Sequence, residues 1–376
     1  MASFKKLASG WQYRVSYKDK DGKYRTKSAN GFDTKKEAQL AAAEIESRYS
    51  KGYSIKDGDK LFKDYFRNWF EVYRKGKLSK DNDGDIRRAV EFSERYFPDT
   101  KLKELTREEY QKALNDYGQD HATASVKKHH TYMRAAIKDA IEEGIIFRDP
   151  TYRVTAVGKK APKHEELKYL NYADSIKLIH ALLENLKPEY TSRFIILFGL
   201  ATGCRFSEII GMTWKNVDFK DKTVNIKQTW DYKYTDGFSN TKNYQSKRTI
   251  TIDDDTLSLL KKLQLHQKQY YLKSGLKNEN DLVFLNDSME LVTNTAVNKV
   301  LRKFCKKVGV TEITCHGLRH THASILLYQG INIKYVSRRL GHKDIVTTLQ
   351  TYQHILDEME QKESNVVNNL MKQMYS

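Results

Sequence analysis

Residues 315–327 read CHGLRHTHASILL and residues 340–352 read LGHKDIVTTLQTY. In the first stretch His316 and Arg319 stand i, i+3 apart, so a helix puts an imidazole and a guanidinium on one face. In the second, Leu340-Gly341 predicts a turn that presents His342, and Tyr352 follows ten residues later on a helical pattern. Upstream, residues 202–209 read TGCRFSEI directly after the apolar run FIILFGLA. Gly203 allows a bend, Arg205 emerges beside buried structure, and Glu208 lies one helical turn on, where it can hold the guanidinium. Each box alone has a bland reading. An Arg-Glu pair is most often a simple salt bridge, and 24 tyrosines give no reason to single one out. A metal site is the competing reading, since Cys315, His316, His320 and His322 are all ligand types. A zinc-protease helix needs Glu after its first His, where Gly317 stands, and no second cysteine pair completes a structural zinc site. We therefore expect no metal and no cofactor.

The order of the boxes carries the inference. Arg205, then His316 with Arg319, then His342, then Tyr352 resembles the catalytic constellation of the tyrosine recombinases of phages and integrative elements, over about residues 165–376. That resemblance implies an integrase, a DNA strand transferase that opens a phosphodiester without ATP. Tyr352 is the implied nucleophile, forming a 3′-phosphotyrosyl link and freeing a 5′ hydroxyl. Two guanidiniums, Arg205 and Arg319, suit the non-bridging phosphate oxygens because they stay charged and donate paired hydrogen bonds. His316 is the implied proton acceptor for a phenol of pKa ~10, and His342 a phosphate-oxygen partner. The family also carries a lysine on a β-hairpin between its two arginine boxes. TKNYQSKRTITI, residues 241–252, occupies that place, so Lys242 is the expected acid for the leaving oxygen, with Lys247 as the alternative.

The chain has 376 residues and a formal net charge of +18, which suits a polyanionic partner and two or three domains. We expect three segments: 1–55, 59–155 and 165–376. Residues 1–58 carry 13 Lys+Arg against 7 Asp+Glu and are the most basic per residue. Trp11, Tyr13, Val15 and Tyr17 alternate with polar residues as a strand, Asp21-Gly22 marks a hairpin turn, and KYRTKSA returns. A third short strand is expected near Gly31-Phe32, before a helix through KKEAQLAAAEIESRY. This β-β-β-α unit, with WQYRV, DGK and GFDTKKEA, resembles the arm-type DNA-binding domain of integrases. Its expected DNA contacts are Tyr13, Arg14, Tyr17, Lys18, Lys20, Lys23, Arg25 and Lys27, on a ribbon of a width that fits the major groove.

KGYSIKDGDK, residues 51–60, reads as a linker. Phe62, Tyr65, Phe66, Trp69, Phe70 and Tyr73 then recur at helical spacing, a pattern of core rather than stacking surface. Helices are expected at 81–97, 106–117 and 122–144, with Lys127, Lys128 and Arg134 as candidate phosphate contacts on the last. By position and helical character this all-α segment resembles the core-site DNA-binding domain of the family. Pro150 and VGKKAPKHEE mark a boundary near 155–168. The third segment reads as mainly α with a small antiparallel sheet, KTVNIKQTW and KRTITI being its strands.

Residues 355–376 hold 2 Lys and 4 Asp+Glu beside Ile355, Met359, Val366, Val367, Leu370, Met371 and Met374. Such an acidic, apolar tail suits docking on a neighbouring subunit. The resemblance implies a homo-tetramer on double-stranded DNA with core and arm sites, and an accessory directionality factor. Cys204, Cys305 and Cys315 lack framework spacing, MASFKKLASGW has no apolar signal core, and no apolar run nears ~20 residues. We expect a cytoplasmic, nucleoid-associated protein of a bacterial host, not a membrane protein. A dimer-resolving recombinase, a non-catalytic DNA-binding repressor and a nicking topoisomerase are the competing classes. The basic N-terminal unit argues against the first, and the full set of catalytic residue types against the second.

Overall fold

A computed structural model describes residues 2–18, 23–50, 57–161, 169–234, 236–241, 244–353 and 371–374. The chain divides into two compact units, Met1–Pro162 and Lys163–Ser376.

The first unit opens with a three-stranded antiparallel sheet, β1 (Ala2–Leu7), β2 (Gly10–Lys18) and β3 (Tyr24–Phe32), in the order β1-β2-β3. Helix α1 (Lys35–Ser50) packs on one face of it. The third strand is therefore the N-terminal MASFKKL segment, paired Phe4 with Tyr13 and Ser3 with Arg14, whereas Gly31-Phe32 ends β3 instead of forming its own strand. The pleat sorts the side chains. Tyr13, Val15 and Ala42 form a buried cluster with Phe4, Ala29 and Phe32 packed on it.

This sorting corrects part of the expected DNA ribbon. Tyr13 is 5% exposed and belongs to the core beneath the sheet, so it is withdrawn as a DNA contact. Arg25 pairs with Tyr17 and Lys27 with Val15, and cross-strand partners share a face, so these three lie on the helix side; Lys27 reaches Asp59 at 3.6 Å. Arg14 and Lys18 occupy the opposite, exposed face, with Lys18 5.1 Å from the Tyr24 ring centroid. Lys23 is exposed at the start of the return strand, and Lys20 lies outside the described residues.

The helical remainder of the unit comprises α2 (Phe62–Trp69), continued by a π turn at Phe70–Arg74, then α3 (Lys80–Tyr96), α4 (Arg107–Gln119) and α5 (Thr123–Glu142). Five of the six aromatics of the stripe, Phe62 to Phe70, are core; Tyr73 is 44% exposed and donates to Glu143 at 3.2 Å. Trp69 donates its indole N–H to Asp139 at 2.6 Å, joining α2 to α5. Thr106 and Glu109 close a reciprocal capping box at the start of α4. Lys127 and Arg134 are exposed on α5 at i, i+7, while Lys128 pairs with Asp85 at 2.7 Å.

In the second unit the run Phe194–Leu200 lies in α7 (Thr191–Thr202) and is buried throughout. A helix apolar on all sides must be surrounded, and α7 packs against α6 (Tyr172–Leu183), α8 (Phe206–Ile210), α9 (Asp254–Ser274), α10 (Asn294–Val308) and α11 (Cys315–Tyr328). Strands β4 (Val217–Asp218), β5 (Thr223–Ile226) and β8 (Arg248–Thr251) form an antiparallel sheet, and β6 (Gln228–Asp231) pairs with β7 (Gly237–Asn240). LVFLND makes only isolated bridges, at Leu282 and Leu285. Helix α12 (Ile333–Leu340) and a helical stretch at 345–353 complete the described part. Among the described residues no helix is long and apolar enough to cross a membrane.

Phe66 is fully buried between Phe62 and Trp69, with ring centroids 6.0 and 5.8 Å away. Phe66→Ala is expected to destabilise the first unit by ~3–5 kcal/mol, read as a lower urea midpoint in hydrogen exchange of α2, α3 and α5, with the second unit's protection unchanged.

Candidate active site

The site is assembled where α7 ends. Gly203 takes the left-handed conformation, φ +67°, and stops the helix; a Cβ there would stand 2.7 Å from the His322 ring and 2.9 Å from a Leu340 methyl. Two residues on, Arg205 caps α8 in extended conformation, and Glu208 of α8 reaches back to it. Glu208 accepts the Arg205 backbone N–H at 2.9 Å and Arg205 Nη1 at 2.8 Å. It also accepts Arg248 Nη1 at 3.2 Å and Nη2 at 3.0 Å. The carboxylate is only 1% exposed. Burial opposes its charge, yet Arg248 first, then Arg205 and Arg319, holds its pKa below the ordinary value.

Arg248 ties this pair to the rest of the site. Its Nε donates to the Arg339 carbonyl at 2.6 Å and its Nη1 to the Ser246 carbonyl at 2.8 Å. The α12 terminator, Gly341 at φ +70°, passes so close that a Cβ would meet Arg248 Nη1 at 2.8 Å. Arg248 stands outside the sequence boxes; the alternation that puts Arg248 and Ile250 on one face of β8 is the signal for its inward position.

Arg319 on α11 is 2% exposed and clamps two loops. Nη1 donates to the Gly203 carbonyl at 2.8 Å and Nη2 to the Leu340 carbonyl at 2.7 Å. Burial first, then Arg205, lowers its pKa to about 10, so it remains a cation at neutral pH. His322, one turn along α11, has both ring nitrogens engaged, Nδ1 with the Leu200 carbonyl at 2.8 Å and Nε2 accepting from Arg339 Nε at 3.0 Å. That makes it a neutral strut between α7 and α12, and burial pushes its pKa down to about 3. Among the described residues no three His, Cys, Asp or Glu side chains converge on a possible metal position.

His342 follows the α12 terminator, its Nδ1 2.7 Å from Thr348 Oγ1. Asp344 caps the next helix by accepting from the Thr347 N–H at 2.8 Å. Burial, then the charges of Arg319 and Arg205, lowers the His342 pKa to about 3. Partial burial of its ring, then the same two charges, lower that of His316, which keeps an exposed edge. Tyr352 is 1% exposed, packed with Ala323, Leu327, Val336 and Leu340. Burial pushes its phenol up to about 12, and Arg319 pulls the other way. Its hydroxyl lies 3.0 Å from Nδ1 of His320, a residue the sequence offered only as a metal-ligand type.

The structure thus brings Arg205, Glu208, His316, Arg319, His342 and Tyr352 together. Lys242 lies outside the described residues; Lys247 is exposed, its backbone N–H bonded to the Tyr244 carbonyl at 3.0 Å. Two adjacent guanidiniums, two histidines held neutral beside them and a buried phenol form a site for an anionic, tetrahedral group and a nucleophilic oxygen.

Residues 171–359 match the phage integrase family, and residues 3–49 match an arm DNA-binding domain. The chain belongs to the phage integrase family. Within that family it is a tyrosine-type site-specific recombinase. It is similar to a tyrosine recombinase XerC-like protein of Caldanaerobacter subterraneus subsp. tengcongensis, at 26% identity over 95% of this chain and 96% of the relative. Among solved structures it resembles the Tn1549 transposon integrase in complex with transposon right-end DNA, with TM-score 0.66, 17% identity, and 80% of this chain against 99% of that one. It also resembles a lambda integrase tetramer bound to a Holliday junction, with TM-score 0.59, 17% identity, and 93% and 94% coverage. The recombinase fold expected from the boxes is the fold observed, with the arm-type sheet, helical segment and small catalytic sheet in the expected order.

Glu208 neutralises part of a cluster of guanidiniums in which Arg248 and Arg319 are buried and Arg205 is partly exposed. Glu208→Gln is expected to cost on the order of 3 kcal/mol, because Arg248 is left buried without its anion. A carboxylate with a depressed folded pKa contributes stability that is complete above its unfolded value of ~4.3 and lost as pH falls through the folded one. Thermal melts from pH 7 to 3 should therefore show a smaller acid-induced loss in Glu208→Gln than in the wild type.

Proposed function

We propose that Tyr352 is the strand-cleaving nucleophile and that Arg205 and Arg319 bind the scissile phosphate. The observation that carries this reading is a buried phenol packed with Leu340, whose carbonyl Arg319 holds at 2.7 Å while its other nitrogen holds the Gly203 carbonyl, two residues before Arg205, at 2.8 Å. Attack of the Tyr352 oxygen on phosphorus leaves a 3′-phosphotyrosyl bond and expels the 5′ oxygen. The attacking 5′ hydroxyl of a partner strand then reverses the reaction onto a new end, so bond energy is retained. Arg205 and Arg319 meet charge that grows on the non-bridging oxygens. His342, kept neutral and oriented by Thr348, serves as a donor to one of them. Lys242, in the segment before Arg248, is the proposed acid for the leaving oxygen, with Lys247 as its alternative.

The proposed substrate is double-stranded DNA at a pair of attachment sites, where the enzyme integrates and excises a phage or other mobile element in a bacterial cytoplasm. Residues 59–155 are proposed to hold the core site, with Lys127 and Arg134 as phosphate contacts, and residues 1–55 the arm site, through the exposed Arg14–Lys18 face. The similarity to an integrase seen as a tetramer on a Holliday junction supports a tetrameric assembly. Its proposed cement is the tail 355–376, which lies outside the described residues except for Met371–Met374.

Incubation with a nicked suicide site is expected to yield a covalent protein–DNA adduct that Tyr352→Phe abolishes while site binding is retained. An adduct surviving in Tyr352→Phe would remove Tyr352 from the reaction. Reversal of charge at Arg14 and Lys18 should weaken arm-site binding at least tenfold and leave core-site binding unchanged in a gel-shift titration, because each lost phosphate contact also reduces counterion release.

A further inference from the structure

We propose that His320 is the proton acceptor for the Tyr352 hydroxyl in strand cleavage, leaving His316 to the phosphate; this rests on Tyr352 being the nucleophile. His316 and His320 stand i, i+4 on α11, and their rings meet edge to face, 4.7 Å apart at 87°. The next ring in the line is Tyr352, 5.7 Å from His320, with its oxygen 3.0 Å from Nδ1. The hydroxyl therefore touches the second histidine of the row. His316 keeps an exposed edge, beside Arg319 and Arg205. A ring there stands with the arginines proposed to bind phosphate, whereas the ring at 320 touches the proposed attacking oxygen.

The chemistry requires such a partner. Tyr352 is buried, so its anion is costly, and a phenol pushed up to about 12 attacks slowly unless its proton leaves as the bond to phosphorus forms. In the proposed step the Tyr352 O–H bond breaks with its proton passing to His320 Nδ1. The oxygen–phosphorus bond forms, the phosphorus–O5′ bond breaks, and the 5′ oxygen takes a proton from the leaving-group acid. Ligation runs the same path backwards, with His320 returning the proton to the phenol. The role requires the neutral tautomer with hydrogen on Nε2, in which Nδ1 accepts from the hydroxyl.

The test is the single-turnover rate of adduct formation on a suicide site by the full-length protein. His320→Asn places an amide where Nδ1 stands and so keeps a hydrogen-bonding group while removing proton uptake. It should slow adduct formation roughly 10²–10⁴-fold with site binding unchanged. Replacing Tyr352 by difluorotyrosine, a much more acidic phenol, should recover most of that loss in His320→Asn and change the wild type little. A bridging 5′-phosphorothiolate substrate, which relieves only the leaving oxygen, should not recover it. A His320→Asn rate within about threefold of wild type would overturn the assignment. So would an equal loss with both phenols, which marks a structural role, or rescue by the phosphorothiolate, which marks an acid. Should the asparagine variant fail to fold, His320→Gln, whose amide reaches the Nε2 rather than the Nδ1 position, also removes proton uptake and serves for the same pair of phenols. Tyr352→Phe run alongside separates the two readings: an adduct in that variant defeats the nucleophile itself, while its absence with a full-rate His320→Asn defeats only the role of His320.

Discussion

One buried carboxylate holds the second unit's arginine cluster in register. Glu208 sits almost out of solvent, where an unpaired charge is prohibitive, and accepts from Arg205 and Arg248 at once. Arg205 comes from the end of α7 and Arg248 from β8, so the carboxylate sets the distance between a helix terminus and a sheet edge. Arg248 then passes the constraint on through the Arg339 and Ser246 carbonyls, to the end of α12 and to the base of the segment that precedes β8. Without the anion, guanidiniums brought this close would repel one another across a poorly screened interior.

A second strut works by hydrogen bonds alone. His322 is fixed between the Leu200 carbonyl and Arg339, and Arg339 continues to the Thr251 and Ala201 carbonyls at 3.1 and 3.2 Å. Arg319 spans the Gly203 and Leu340 carbonyls in the same way. The ends of α7 and α12 are thereby stitched to α11 twice, on neighbouring turns. Gly203 and Gly341 are needed at both ends because their positive φ and close packing leave no space for a Cβ. Of the three sequence boxes, two are chain reversals and the third is the helix to which both are pinned.

That geometry explains what the sequence disclosed and what it hid. The α7 run was legible because eight consecutive apolar residues can only be a surrounded element, and the boxes were legible because their order survives without any knowledge of distance. The aromatic stripe of α2 was legible through its period. Strand β1 was hidden, since Lys5-Lys6 breaks the alternation of a short strand at the chain's start. The ribbon's basic residues could be counted but not assigned to faces, because one residue of register exchanges the two faces; Tyr13 and the Arg25–Lys27 pair show the consequence. His320 stayed hidden for a different reason. Its partner lies 32 residues away, and in a motif with three histidines only the fold can say which of them meets the tyrosine.

The charge arrangement also shows why the site waits for DNA. Arg205, Arg248 and Arg319 face the single carboxylate of Glu208, while Arg339 is spent on carbonyls and His322. Four guanidiniums against one carboxylate leave the cluster positive, and the depressed pKa values of Arg319, His316 and His342 are each lowered in part by neighbouring guanidiniums. A phosphodiester brings one negative charge, and its five-coordinate transition state brings two. With the phosphate bound as proposed, the cluster is closest to balance when phosphorus is bonded to both the attacking and the leaving oxygen, which favours the transition state over the bound ground state. Burying Tyr352 serves the same end under the proposed mechanism: a phenol kept neutral until a phosphate arrives does not cancel the positive field that the phosphate must find.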